Sequence, residues 1–126
     1  MKVTHLDHIV LTVSDIERTA EFYQTVLGMR RVSFGEGRVA LSFGNQKINL
    51  HQLHHEFDPK AGNVQVGSAD LCFVLNISLE EAKRHLKKHE VEIIDGPVAR
   101  TGATGPITSL YFRDPDLNLI EVSSYD

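Results

Sequence analysis

The sequence has little of what marks a secreted or disulfide-bonded protein. Among its 126 residues there is no tryptophan, and Cys72 is the only cysteine. A single cysteine excludes a disulfide within the chain and predicts a reducing, cytoplasmic location. Because Cys72 stands in the apolar run from Leu71 to Leu75, we expect it to be a buried small hydrophobic residue.

Positive charge and long apolar runs are also scarce. Lys and Arg number 13 against 17 Asp and Glu, which gives a net charge of −4 and excludes the basic face that nucleic-acid binding usually needs. No apolar run approaches the roughly 18 residues of a membrane helix. The first residues lack the apolar core of a signal peptide. The sequence therefore predicts neither a nucleic acid nor a membrane as a partner.

The sequence instead contains one pattern of elements written twice. The first half predicts a strand at 8–13, a helix, and then strands at 30–34, 38–43 and 46–53. The helix is indicated by a capping box from Ser14 to Glu17 and by a left-handed stop at Gly28. Its apolar positions follow helical spacing: Ile16, Ala20, Tyr23 and Leu27.

The second half repeats the order. It predicts a strand at 69–75, a helix opened by a capping box from Ser78 to Glu81, and strands at about 91–95, 107–113 and 117–123. Leu79, Ala82 and Leu86 form the expected buried face of this helix. The segment 96–106 is rich in glycine and is expected to be a flexible lid or an anion contact.

These elements predict an α+β domain of two tandem βαβββ modules, at about 5–55 and 68–126, joined by a linker at about 56–67. In each module the helix covers one face of the sheet, and two such sheets side by side would form a curved mixed sheet around a cleft. Such a cleft is a natural place for a small ligand. Because a chain of 126 residues has room for only a modest cleft, we expect a homodimer to complete it.

Polar residues at matching places in the two modules are the candidates for chemistry. His8 and Asp70 open equivalent strands 62 residues apart, and Glu121 interrupts an otherwise apolar final strand. His51 lies eight residues after Phe43, and Glu121 lies nine after Phe112. That count predicts His51, rather than Asn49, as the equivalent of Glu121; the alternation of a strand puts Asn49 and His51 on the same face.

A buried carboxylate needs a partner, and a divalent metal would satisfy two imidazoles and two carboxylates together. Zn²⁺, Ni²⁺, Fe²⁺, Mn²⁺ and Co²⁺ all accept such ligands. The alternative is that His8 is an ordinary surface residue and that Glu121 pairs with Arg100 or Arg113.

Other polar residues have simpler interpretations. His85 and His89 lie among lysines and arginines on a solvated helix face, His54 and His55 belong to the linker region, and His5 is exposed. We expect the Asp114-Pro115-Asp116 turn to use its carboxylates to cap backbone amides.

Two stretches of the sequence resemble the vicinal oxygen chelate (glyoxalase and extradiol dioxygenase) superfamily. The opening stretch Asp7–Asp15, with Phe22-Tyr23 and Val26–Met29, is similar to the start of such a domain, and Phe112–Val122 is similar to its closing motif. A narrower likeness, to glyoxalase domain-containing protein 5 and bacterial glyoxalase-like virulence proteins, is carried by four further segments: Ser68–Phe73, Gly96–Val98, Arg100–Ala103 and Gly105–Ile107.

The resemblance implies a divalent metal ion held by strand residues of both modules. The matching ligand positions are His8, His51 (or Asn49), Asp70 and Glu121. At the position of Asp70 the superfamily more often has histidine or glutamate. Glu121 would also be the catalytic base. Substrate contacts are expected from Asn49, Arg100, Thr101 and Tyr111.

The implied function is a glyoxalase-type lyase or isomerase acting on a small oxygenated metabolite. In that chemistry the metal is a Lewis acid that stabilises an enediolate, and a carboxylate moves the proton. A dioxygenase or a thiol transferase on the same scaffold is the second possibility. The third is a module that sequesters a small molecule, such as an antibiotic, without catalysis.

Overall fold

The computed structural model describes all 126 residues as two compact units, Met1–Val66 and Gly67–Asp126. We call these units module one and module two. Each contains one four-stranded mixed sheet and one helix, so the α+β fold class is confirmed. Module one consists of β1 (His8–Val13), α1 (Ile16–Leu27), β2 (Arg30–Phe34), β3 (Arg38–Phe43) and β4 (Gln46–Gln52). Module two consists of β5 (Asp70–Val74), α2 (Leu79–Lys88), β6 (Asp95–Gly102), β7 (Gly105–Arg113) and β8 (Leu119–Tyr125).

The two sheets have the same topology. Their strand orders are β1-β4-β3-β2 and β5-β8-β7-β6. In each, the first and last strands of the module pair in parallel, and the other pairs are antiparallel. The predicted βαβββ order is therefore confirmed in both halves. Residues 53–69, between β4 and β5, form no helix or strand.

The start of α2 agrees with the prediction, whereas the start of α1 differs from it. Ser78 caps α2, and its hydroxyl accepts a hydrogen bond from the Glu81 amide at 3.1 Å. The predicted capping box at Ser14 is wrong. Asp15 caps α1 and accepts from the Arg18 amide, while Glu17 binds Arg31 at 2.8 Å instead of reaching back. Gly28 ends α1 in the left-handed conformation, as expected.

The buried faces of the helices differ slightly from those predicted. In α1, Thr19, Ala20, Tyr23 and Val26 are buried, whereas Ile16 and Leu27 are half-buried. In α2, Ala82 and Leu86 are buried. Neither helix has the length and apolar character that a membrane-spanning helix requires.

The predicted strand at 91–95 and the predicted lid at 96–106 are wrong. The strand is β6, which begins at Asp95, and the supposed lid is most of a hairpin in which only Ala103 and Thr104 separate β6 from β7. Gly96 and Pro97 suggested a loop, but β6 is an edge strand, where proline is tolerated. The register shift between Asp95 and Val98 accommodates both residues.

Each sheet has a second face, opposite to the one that carries its buried aliphatic residues. Because side chains alternate along a strand, buried Leu11 and Val13 of β1 leave His8, Val10 and Thr12 on the other side. We call that second side the open face. In module two it carries Asp70 and Cys72 of β5, Glu121 and Ser123 of β8, and Ser109 and Tyr111 of β7.

Candidate functional site

Glu121 lies at the centre of the open face of module two. It is directly opposite Cys72 on one side and Tyr111 on the other. Its Oε2 accepts a hydrogen bond from Ser109 Oγ at 2.6 Å and another from Ser123 Oγ at 3.3 Å. Both serines are fully buried. The carboxylate is therefore fixed by two hydroxyl groups.

Glu121 has no cationic partner, because neither predicted arginine pairs with it. Arg100 contacts Asp95, Ala99 and Tyr111. Arg113 donates to the Leu117 carbonyl at 3.3 Å. The hydrogen bonds that hold this carboxylate therefore come from serine hydroxyl groups.

Two cavities open on this face, and Arg100, Tyr111 and Glu121 line both. The smaller has a volume of about 370 Å³; the rest of its wall is formed by Cys72, Val74, Thr101, Gly102, Ala103, Ile107 and Tyr125. The larger, about 480 Å³, also touches Asp70, Ile94, Asp95, Arg113 and Leu119. The predicted substrate contacts Arg100, Thr101 and Tyr111 thus share one wall of the smaller cavity.

Tyr111 and Arg100 act as a pair in this wall. Arg100 Nε donates to the Tyr111 hydroxyl at 3.0 Å, and the guanidinium carbon lies 5.4 Å from the centre of the ring. Partial burial raises the pKa of the Tyr111 phenol, the hydrogen bond from Arg100 lowers it, and the charge of Glu121 raises it again. The phenol therefore keeps its proton at neutral pH.

Cys72 is exposed, so the prediction of a buried cysteine is wrong. The apolar run Leu71–Leu75 alternates across the sheet, and Cys72 falls on the open face with Glu121. Its sulfur is 3.2 Å from Ser123 Oγ. Desolvation by its neighbours raises the pKa of the thiol, and Glu121 raises it further, so the thiol is not activated as a nucleophile.

Asp70 begins β5, opposite Leu119, on the same face as Glu121. Two positions separate Asp70 from the residue opposite Glu121, and both carboxylates line the larger cavity. Module two therefore brings together two of the four predicted metal ligands, both of them oxygen donors.

His8 begins β1 in the equivalent place in module one, opposite Lys47. Its Nδ1 lies 2.8 Å from the Asp7 carboxylate. That contact lowers the pKa of Asp7. An Nδ1–H that donates to a carboxylate leaves the Nε2 lone pair available to a metal, which is the usual arrangement of a metal-binding histidine.

His51 is not brought together with His8. It lies opposite Thr12, four positions along β1 from His8, which is about 13 Å in a strand. Its Nε2 is 3.4 Å from Arg38 Nη2, and its ring packs edge-on against Phe57. Burial lowers the pKa of His51, and the charge of Arg38 lowers it further.

Asn49 is the residue whose register matches that of Glu121. If His8 and Asp70 are equivalent, Asn49 opposite Val10 corresponds to Glu121 opposite Cys72, and His51 corresponds to Ser123. Counting from the phenylalanines failed because the β3–β4 turn has two residues, 44–45, and the β7–β8 turn has five, 114–118. Asn49 is 5% exposed, and its Oδ1 has no hydrogen-bond partner.

The turn before β8 fixes the start of β5. Asp114 Oδ1 accepts hydrogen bonds from the amides of Asp116 and Asn118, so the predicted capping role is confirmed for Asp114. Asn118 donates its side-chain amide to Asp114 and accepts from the Ala69 amide at 2.9 Å. This contact holds Ala69, the residue before β5, against the turn that precedes β8.

The remaining histidines add no metal site. Nowhere in the chain do three or more His, Cys, Asp or Glu side chains converge as a metal-binding group would. The rings of His85 and His89 are 4.6 Å apart on α2, and His5, His54 and His55 are exposed. Sequence reasoning missed Ser109 and Ser123; small hydroxyl residues alternating with apolar ones on β7 and β8 were the available signal.

The model of the Glyoxalase/Bleomycin resistance protein/Dioxygenase superfamily matches residues 5–122. The chain belongs to this superfamily. Its family name covers enzymes and a resistance protein, so membership establishes the fold without specifying the function.

Close relatives resemble almost the entire chain. Glyoxalase domain-containing protein RDO1 of Mycosarcoma maydis is 57% identical over 99% of this chain and 70% of its own length. Virulence protein STM3117 of Salmonella typhimurium is 52% identical over 99% and 87%. An integron cassette protein structure from Vibrio cholerae superposes with a TM-score of 0.98 at 64% identity, over 100% and 98% of the two chains.

More distant relatives show how varied the superfamily is. The metallothiol transferase FosB of Staphylococcus epidermidis is 26% identical over 97% of this chain and 82% of its own length. TnmS3, an antibiotic-binding protein from Streptomyces, is 20% identical over 100% and 99% of the two chains, with a TM-score of 0.78, a likeness that shows the fold alone.

Proposed function

We propose that the protein is a divalent-metal-dependent lyase or isomerase of glyoxalase type that acts on a small oxygenated metabolite. The observation that carries this proposal is Glu121. Its carboxylate is half-buried, has no cationic partner, is held by Ser109 and Ser123, and lines both cavities. Such a group is suited to move a proton.

In the proposed reaction Glu121 removes a proton from the carbon next to a carbonyl group and returns it to the neighbouring carbon. The Ser109 hydroxyl, 2.6 Å from Oε2, keeps the carboxylate oriented through both transfers. Because Ser109 also contacts Ser123 at 2.7 Å, the hydroxyl pair is rigid and buried. Rigid support of this kind keeps a general base within reach of its substrate.

The donor types at the proposed metal positions suit a divalent ion. Module two supplies Asp70 and Glu121, and module one supplies His8 and, at the register position of Glu121, the unpartnered Asn49 Oδ1. When bound, the metal would be a Lewis acid that polarises the substrate carbonyl. Two donors are fewer than a metal site usually has. We assign His51 no ligand role.

A second candidate is small-molecule sequestration without catalysis. It is favoured by the absence of any group of three converging metal donors within the chain. TnmS3, which shares this fold, is described as antibiotic-binding. The likeness to FosB supports a thiol transferase as a further enzyme alternative.

The proposal is tested with purified protein reloaded separately with Zn²⁺, Ni²⁺, Mn²⁺, Co²⁺ or Fe²⁺. We expect a near-stoichiometric metal content that His8→Ala and Glu121→Gln lose and that His51→Gln, a matched histidine control, retains. Turnover of methylglyoxal with glutathione should stop on chelation and fall about 10²- to 10⁴-fold in Glu121→Gln.

Other outcomes point to the alternatives. Oxygen uptake with a catechol and Fe²⁺ would indicate a dioxygenase, and transfer of a thiol to an electrophile would indicate a transferase. Absence of metal under every reloading condition would overturn the enzyme proposal and leave sequestration.

We also propose that the protein is cytoplasmic and forms a homodimer. Light scattering of the native protein tests the dimer and should give about twice the chain mass of 14.1 kDa.

A further inference from the structure

We propose that Arg100 and Tyr111 recognise an anionic end group of the ligand, so that the smaller cavity takes a small carboxylic acid with a carbonyl or hydroxyl next to the carboxylate. This inference deepens the proposed function and rests on it for the fate of the ligand. The anion contact itself rests on the geometry of module two alone.

Arg100 has donors to spare. Its guanidinium carries five N–H groups, and three contacts engage one nitrogen each: Nε with Tyr111, Nη1 with the Ala99 carbonyl, and Nη2 with Asp95. At least two N–H groups therefore remain. The contact with Asp95 is long, at 3.6 Å, and both side chains are largely exposed, at 42% and 59%. An exposed pair of this kind is weak.

Tyr111 adds an oriented donor next to that cation. Because its hydroxyl oxygen accepts from Arg100 Nε, its own proton is directed elsewhere, to Glu121 or to a ligand oxygen. An arginine and a tyrosine hydroxyl side by side suit the two oxygens of a carboxylate.

The charges that line the smaller cavity favour an anion beside Arg100 and disfavour one beside Glu121. Arg100 is its only cation and Glu121 its only anion, and the other lining residues are neutral. The larger cavity has three carboxylates, Asp70, Asp95 and Glu121, against two arginines, and would repel an anion. The smaller volume, about 370 Å³, is near the lower end of small-molecule sites.

Strand order and register both separate Arg100 from Glu121. Arg100 is on β6 and Glu121 on β8, with Tyr111 on β7 between them. Arg100 is opposite Ile107, and Ile107 is opposite Tyr125, which lies four positions beyond Glu121 on β8. A carboxylate held by Arg100 would thus lie away from Glu121, while the adjoining carbons of the same small molecule extend towards the base.

The test compares pyruvate with pyruvamide, its neutral analogue of nearly the same shape. Binding to the full chain is followed by NMR chemical-shift titration in the presence of chelator, so that no metal contributes. We expect the wild-type protein to bind pyruvate at least tenfold more tightly than pyruvamide. Arg100→Met should weaken pyruvate binding about 10- to 100-fold, and Tyr111→Phe about fivefold.

Arg84→Met, which removes an exposed arginine from α2 of the same module, should leave the preference unchanged. Equal affinity of the wild-type protein for the two probes, or a preference that survives in Arg100→Met, would overturn the inference. The spectra themselves report whether each variant is folded. A charge preference that persists in a protein without metal-dependent turnover would uphold this inference while the proposed reaction fails.

Discussion

Asn49 and Glu121 occupy the same register position in the two modules but have opposite hydrogen-bonding states. Glu121 Oε2 accepts from two buried serines, whereas Asn49 Oδ1 is buried and accepts from nothing. An unsatisfied buried acceptor costs about 1–3 kcal/mol. Such a cost at a position equivalent to the proposed base favours a ligand-binding role for Asn49 over a stabilising one.

Replacing Asn49 should therefore stabilise the fold. We expect Asn49→Leu to raise the free energy of unfolding by about 1 kcal/mol, because the side chain keeps its volume and loses the unsatisfied oxygen. The same change should weaken metal binding. Urea denaturation of the metal-free protein measures the first effect, and metal content the second.

Asn118 is the matched control for this substitution. It is also buried, at 2% exposure, but its side chain bonds Asp114 and Ala69. Asn118→Leu should lower the free energy of unfolding by about 2–4 kcal/mol. If both leucine variants destabilise the protein alike, the unpartnered oxygen of Asn49 is not a source of instability.

Much of the fold was predictable because hydrophobic periodicity and turn residues agree. Seven of the eight strands overlap their predicted ranges closely, and Gly28 ends α1 as its left-handed backbone requires. β6 was misplaced because its glycine and proline indicated a loop, although an edge strand tolerates both. Local composition does not reveal which strand is at the edge of a sheet.

The place of Glu121 on the sheet was predictable from the sequence, but the register of His51 was not. Glu121 stood out because a carboxylate interrupts an apolar strand, and its place on the open face agrees with that reading. His51 was misaligned because the count from Phe43 and Phe112 ignored the difference between the two turns. Cys72 was misjudged because an apolar run does not say which of its residues face the helix.

His51 gives the protein a pH-dependent stability. Burial and Arg38 lower its pKa below the ordinary value of about 6.5, so the unfolded chain binds a proton that the folded one resists. Stability from this residue is present above about pH 6.5 and is lost as the pH falls through the lowered pKa. We expect the free energy of unfolding to fall less between pH 7.5 and pH 5 in His51→Gln than in wild type.

Arg38 provides a second variant for the same measurement. Arg38→Met removes the second cause of the shift and should reduce the pH dependence partly, while Arg84→Met on α2 should not alter it. Urea midpoints across this pH range decide the matter. A His51→Gln protein whose stability falls as steeply as that of wild type would show that His51 is not the group responsible.

Gly96 fixes the backbone conformation at the beginning of β6, the strand that carries Arg100. Its φ is +102°, and a Cβ added there would lie 2.3 Å from the Ser109 carbonyl oxygen and 3.0 Å from Leu110 Cα. Both contacts are with backbone, which cannot rotate away. Gly96→Ala should therefore lower the free energy of unfolding by about 2–4 kcal/mol.

Gly62 is the control for a loss of glycine flexibility alone, since a Cβ there meets nothing within 4 Å and its backbone is unstrained. Gly62→Ala should change the unfolding free energy by less than about 1 kcal/mol. Because the displaced β6 backbone carries Arg100, Gly96→Ala should also weaken pyruvate binding in the NMR titration. Full stability together with unchanged pyruvate affinity in Gly96→Ala would mean that β6 relaxes around the new methyl group. It would also mean that the register shift between Asp95 and Val98 does not position Arg100.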